Sequence, residues 1–127
     1  MRSTTWLIIG ILFAAAGVGI GAFGAHGLKD TLAATGRGEN FETGVKYQMY
    51  HALALIAVAI WAQRANPAPT IFWIGLCFAA GIVVFSGSLY ILAVTNVTKW
   101  GMVTPIGGVL MLIGWGLWAW QAFNTAE

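Results

Sequence analysis

The chain has 127 residues, of which only ten carry a formal charge, six Lys and Arg against four Asp and Glu, for a net charge of +2. It is 59% hydrophobic and 8% charged, far below the roughly 25% charged residues that wet the surface of a soluble domain. That balance argues against a soluble protein, the weak charge without a basic stripe argues against a nucleic-acid partner, and the length allows one domain, residues 1–127.

Four apolar blocks follow one another: Thr5–Ala25, Lys46–Ala62, Thr70–Val94 and Gly101–Ala122. Each is near the ~20 residues that a helix needs to cross a hydrocarbon core of ~30 Å. The expected fold is all-α: an integral membrane four-helix bundle with antiparallel, up-down topology. The first block follows Arg2 and ends in small residues, Ala22–Gly24, as a secretory leader would. Its apolar run, Trp6–Ala25, exceeds the roughly 7–15 residues of a leader's core, and it reads as an uncleaved transmembrane helix. Along it Gly10, Ala14, Gly17, Gly21 and Ala25 recur at three- and four-residue steps and leave one face nearly bare. Helices in lipid gain little from the hydrophobic effect, and small faces let backbones approach. This face is expected to pack on another helix of the chain or on a second protomer.

The first loop, His26–Val45, is long, polar and punctuated by glycine, and it holds most of the charge. Leu28, Leu32 and Ala33 have helical spacing within it. Leu28–Ala34 reads either as a short helix lying on the membrane, ended by Thr35-Gly36, or as a solvated loop. The second block carries Tyr47, Gln48 and His51 at three- to four-residue steps, hence on one face. The second loop, Gln63–Pro69, contains Asn66, Pro67 and Pro69; two prolines in three residues stop a helix and force a tight hairpin. The third block holds the lone cysteine, Cys77, which reads as a small buried hydrophobe, and Ser86, Ser88 and Tyr90 near its end. After the short third loop, Thr95–Lys99, the fourth block opens on Thr104-Pro105, where the missing proline N–H costs nothing. Gly107, Gly108 and Gly114 point to a second close helix contact. No internal repeat is evident.

Short connections make neighbouring helices antiparallel. The termini and the second loop then share one side, with Arg2 and Arg64, and loops one and three share the other, with Lys29, Arg37, Lys46 and Lys99. The positive-inside rule places both termini outside and loops one and three in the cytoplasm; the acids Asp30, Glu39 and Glu42 count for little in it. Trp6, Trp61, Trp73, Trp115, Trp118 and Trp120 fall near the termini side and Trp100 on the other, the placement expected of indoles at headgroup level. One or two of them, Trp115 first, are expected to fill the bundle instead.

Polar side chains inside a span turn toward protein or a water-filled cavity. His26, Tyr47, Gln48, His51, Ser86, Ser88, Tyr90 and Thr104 all map toward the side of loops one and three, and form a candidate polar pocket. Their chemistry is narrow. Two histidines make at most half a zinc site, with no cysteine or carboxylate at matching depth, so neither a metal nor a cofactor is expected. A serine nucleophile needs a base and a group to orient that base; no glycine elbow and no acid within the spans supplies them, and no catalytic residue is assigned. Either the set hydrogen-bonds across helices and fixes their register, at about 0.6 kcal/mol each, or it lines a cavity for a small molecule or a lipid headgroup.

Four stretches resemble the motifs of one known family. Gly21-Ala22-Phe23-Gly24-Ala25-His26-Gly27-Leu28 resembles the first, and the run from Phe41 through Tyr47-Gln48-Met49-Tyr50-His51 to Leu55 the second. Phe85-Ser86-Gly87-Ser88-Leu89-Tyr90 and Thr104-Pro105-Ile106-Gly107-Gly108 resemble the third and fourth. The family is domain of unknown function 423, small inner-membrane proteins that are similar to eukaryotic transmembrane protein 256. The resemblance covers nearly the whole chain. It implies a four-helix protein of the bacterial inner membrane and supplies no reaction, substrate or catalytic residue. The functional expectation is a structural or accessory membrane component, with membrane lipids and a homo-oligomer or another membrane protein as partners. A binding or transport module using the polar pocket is the alternative, and an intramembrane enzyme the third.

Overall fold

The computed structural model describes residues 3–65 and 69–125. These form α1 (Ser3–Ala25), α2 (Lys29–Thr35), α3 (Gly38–Ala65), α4 (Thr70–Thr95), a 3-10 turn (Thr98–Met102) and α5 (Thr104–Thr125). The long helices α1, α3 and α4, and the stretch Thr98–Thr125, are long and apolar enough to cross a membrane. The protein is an all-α membrane helical bundle. Arg2, Asn66 and Pro67, used above for orientation and for the second turn, lie outside the described residues.

The largest departure from the apolar outline is in α3, which begins at Gly38 rather than at Lys46. The polar stretch before Lys46 is helical because it still has packing partners. The Phe41 ring covers Gly24 of α1, and the Tyr90 ring of α4 covers Gly44. The first connection therefore shrinks to α2 and two turns. Gly36 ends α2 in the left-handed conformation (φ 71°), its N–H donating to Leu32 O. An added Cβ there meets no atom, so Gly36→Ala is expected to lower stability by about 1 kcal/mol through backbone strain alone, measurable by detergent-to-SDS unfolding. Thr35 Oγ1 donates to Ala93 O at 2.8 Å, and Arg37 Nε to Asn96 Oδ1 at 2.9 Å, which dock this segment on the end of α4.

The pairs α1–α3, α3–α4 and α4–α5 each pack antiparallel. On α1 the buried glycines are Gly10, Gly17 and Gly24, seven residues apart. Gly10 faces Leu55, Gly17 faces Met49 and Gln48, and Gly24 faces Phe41. A seven-residue repeat keeps one stripe on one partner over successive turns. Of the small face read from sequence, Gly10, Gly17 and Gly21 meet α3; Ala14 is half-buried and Ala25 is exposed, its expected place taken by Gly24. The α4–α5 seam is built on Gly81, Gly107 and Gly114. Gly108, grouped with them in the sequence, stands back: a Cβ there would lie 3.7 Å from the Phe85 ring.

The helices form an open row, α1, α3, α4, α5, in which α1 and α5 do not touch among the described residues. A water-soluble bundle would close such a row to hide its apolar edges. In lipid that drive is absent, and Leu12, Val18, Leu112 and Phe123 stay exposed on the outer helices. The core occupies the half of the row nearer the α3–α4 turn, with Trp6, Leu55, Val58, Ile74, Phe78 and Met111 packed together. Trp6 differs from its expected headgroup placement: it is buried against Gly75 and Phe72, and its Nε1 has no hydrogen-bond partner.

Candidate functional site

The other half of the row holds the polar side chains. Gln48 points from α3 toward α1 and donates from Nε2 to Phe13 O at 2.9 Å. Gly17 makes this possible: a side chain four residues beyond a helical carbonyl shields it, and Gly17 has none. The other end of the same amide, Oε1, accepts from Tyr90 Oη of α4 at 2.6 Å. One side chain thereby ties three helices. Ser86 Oγ donates to Gly44 O of α3 at 2.6 Å. Ser88 Oγ and Thr104 Oγ1 are 2.5 Å apart across the α4–α5 seam, and each also reaches a carbonyl of its own chain segment, Phe85 O and Trp100 O. Gln48, Ser86 and Ser88 are buried; Tyr90 and Thr104 are half-buried.

His51 lies at the middle of α3 and bridges to the middle of α5. Its Nδ1 is 2.8 Å from Tyr47 O, and its Nε2 is 3.0 Å from Trp115 Nε1. An indole N–H can only donate, so Nε2 is the acceptor and the ring proton sits on Nδ1, donating to the carbonyl. Nitrogen-15 NMR of labelled protein is expected to report the Nδ1–H tautomer, and Trp115→Phe to keep it, since Tyr47 O still accepts from Nδ1, while shifting the Nε2 resonance as its donor is lost. This bridge moves one residue from its anticipated depth: His51 sits near mid-height rather than at the loop-one end. Trp115, the indole first expected to fill the bundle, meets it there, stacked against Trp118 and edge-on to Phe78.

Two members of the anticipated pocket stand apart. His26 is exposed in the turn between α1 and α2, beyond reach of the others' hydrogen bonds. Tyr47 is 39% exposed and packs its ring on Phe85, 4.7 Å between centroids, and stacks on His51. The remaining six are divided among helix interfaces rather than gathered round one space. His51 and Tyr47 do border a cleft of ≈ 440 Å³ between α3 and α5, with Pro105, Met111 and Trp115; Ser86, Ser88, Tyr90 and Thr104 do not line it. Among the described residues no three His, Cys, Asp or Glu side chains are grouped to hold a metal. Sequence reasoning missed Trp115 as a partner of His51, since nothing in the spacing of one helix specifies its register on another. It also missed Gly17 as the opening for Gln48.

Comparison with known proteins gives one consistent result. Residues 20–108 match the family model described as protein of unknown function (DUF423). The chain is 44% identical over 110 residues to the UPF0382 membrane protein YwdK of Bacillus subtilis, covering 87% of this chain and 89% of that one. It is 46% identical over 110 residues to a UPF0382 membrane protein of Staphylococcus saprophyticus, covering 87% and 89%. Its identity to the UPF0382 inner membrane protein YgdD of Escherichia coli is 41% over 117 residues, 92% and 88% of the two chains. No solved structure matches.

Proposed function

The chain belongs to the DUF423 family of membrane proteins, and from that premise we propose that it serves the membrane as a structural or accessory component rather than as an enzyme. One observation carries this reading. Gln48, His51, Ser86, Ser88, Tyr90 and Thr104 are all spent on helix carbonyls or on partners across a helix interface. A serine whose hydroxyl is given to a carbonyl has no base beside it to make it a nucleophile. The binding-module alternative draws on the cleft beside His51 and Tyr47, but His51 Nε2 is already taken by Trp115.

The naming of a relative as an inner membrane protein supports placement in a bacterial inner membrane. Lys29, Arg37, Lys46 and Lys99 on one side against Arg2 and Arg64 on the other support termini outside, with loops one and three in the cytoplasm. The outer faces of α1 and α5 are the surfaces for lipid, a second copy or another membrane protein. A carboxyl-terminal alkaline phosphatase fusion should be active and a fluorescent-protein fusion dark; the opposite pair refutes the orientation. For the role itself, His51→Ala and Ser88→Ala in a cell lacking the native copy should lose function only as far as they lose abundance in the membrane. Normal abundance and melting with full loss of function would point to a site and end the structural reading.

A further inference from the structure

At the loop-one end, α1, α2 and α3 enclose a separate cleft of ≈ 450 Å³ that none of the hydrogen-bonded bridges occupies. Gly24, Leu32, Phe41 and Val45 give it apolar walls, and two charged side chains of α3, Glu42 and Lys46, line it as well. A Glu and Lys four residues apart on a helix are placed to pair with each other. Here both are exposed, and no ion pair within 4.0 Å joins them among the described residues. Both remain available to a ligand in the cleft.

Their order relative to the membrane is specific. Lys46 opens the second apolar block and Ala25, another lining residue, closes the first, so the cleft sits where the apolar spans end. Moving outward along α3 come Lys46 and then, about 6 Å higher at ~1.5 Å per residue, Glu42. A phospholipid presents its groups in the same order, with acyl chains innermost, then the phosphate, then any headgroup amine. Lys46 is level with the phosphate and Glu42 with the amine. A glycerol headgroup would offer Glu42 only neutral hydroxyls and no charge to pair with, and a quaternary amine would offer it no N–H. Tyr50 and Leu53 continue the Lys46 face at i+4 and i+7 and are 56% and 55% exposed, an apolar track for an acyl chain. We propose that this cleft binds a glycerophospholipid with a primary-amine headgroup of the ethanolamine type, Lys46 holding the phosphate and Glu42 the ammonium. The inference is independent of the structural role proposed above, since neither Glu42 nor Lys46 takes part in the helix-bridging hydrogen bonds.

The test is native mass spectrometry of the full chain in detergent, offered phosphatidylethanolamine, phosphatidylcholine and phosphatidylglycerol with identical acyl chains. The native protein should retain one phosphatidylethanolamine, about tenfold in preference to the other two, the worth of one charge-assisted hydrogen bond. Glu42→Gln should remove that preference while leaving residual binding of all three, Lys46→Gln should weaken all three, and Lys46→Arg should restore them. Both side chains are exposed, so melting should be unchanged throughout. Equal retention of the three lipids by the native protein, or an ethanolamine preference that survives Glu42→Gln, overturns the proposal.

Discussion

Gly107→Ala is expected to destabilise the protein by about 3 kcal/mol, the upper range for overpacking a tight contact. The Cβ it adds would collide with the backbone nitrogen of Phe85 and lie 2.7 Å from its Cα and Cβ. A flexible side chain in that place could swing aside, whereas a helix backbone can only move as a whole. α4 and α5 would have to part, and the nearby Ser88–Thr104 bond would open with them. The neighbouring Gly108→Ala is the control. Its new methyl lies 3.7 Å from the Phe85 ring, an ordinary contact, and should change stability by less than about 0.5 kcal/mol. Unfolding of the two variants in mixed micelles, followed by tryptophan fluorescence, measures both. Equal losses at the two positions would contradict the seam described here.

Gln48→Ala should cost about 2 kcal/mol, from two bridging bonds at about 0.6 kcal/mol each and the void left at a buried contact. The effect is expected to be larger than a single hydrogen bond because the amide serves both of its neighbours, Phe13 O on α1 and Tyr90 Oη on α4. Tyr90→Phe removes only the second bond and should cost about 0.6 kcal/mol. In the Gln48→Ala background Tyr90→Phe should cost almost nothing, since its partner is already gone. Additive losses in this cycle would mean that the two side chains are not coupled.

What could be read from the sequence follows from what each signal depends on. The four spans were legible because length and hydropathy are local properties, whereas the Thr35-Gly36 stop marked where α2 ends without separating a short helix from a solvated loop. The concentration of polar groups in one half was legible too, since Gln48, Ser86, Ser88, Tyr90 and Thr104 keep their depth whatever the register. Partner choice was not. That Gly24 rather than Ala25 meets α3 depends on how α1 is rotated, and that Trp115 meets His51 depends on how α5 is staggered. The early start of α3 was hidden by Glu39, Glu42 and the glycines around them, whose composition suggests a loop. Contacts of Phe41 with Gly24 and of Tyr90 with Gly44 override that local preference. The open row was likewise out of reach, because a pattern of apolar faces does not say whether lipid or protein covers them.

The central claim is that the polar half of the molecule is a set of closed helix contacts and not a watered site. Substituted-cysteine accessibility tests it most directly, with Ser86→Cys and Ser88→Cys each placed in a Cys77→Ala background. Intact membranes treated with a small water-soluble maleimide should leave both thiols unlabelled, while Lys46→Cys at the exposed loop-one end labels readily and all three label after SDS denaturation. Labelling of Cys at position 86 or 88 in the folded protein, at a rate near that of the position 46 control, would reveal water at these serines and contradict the account.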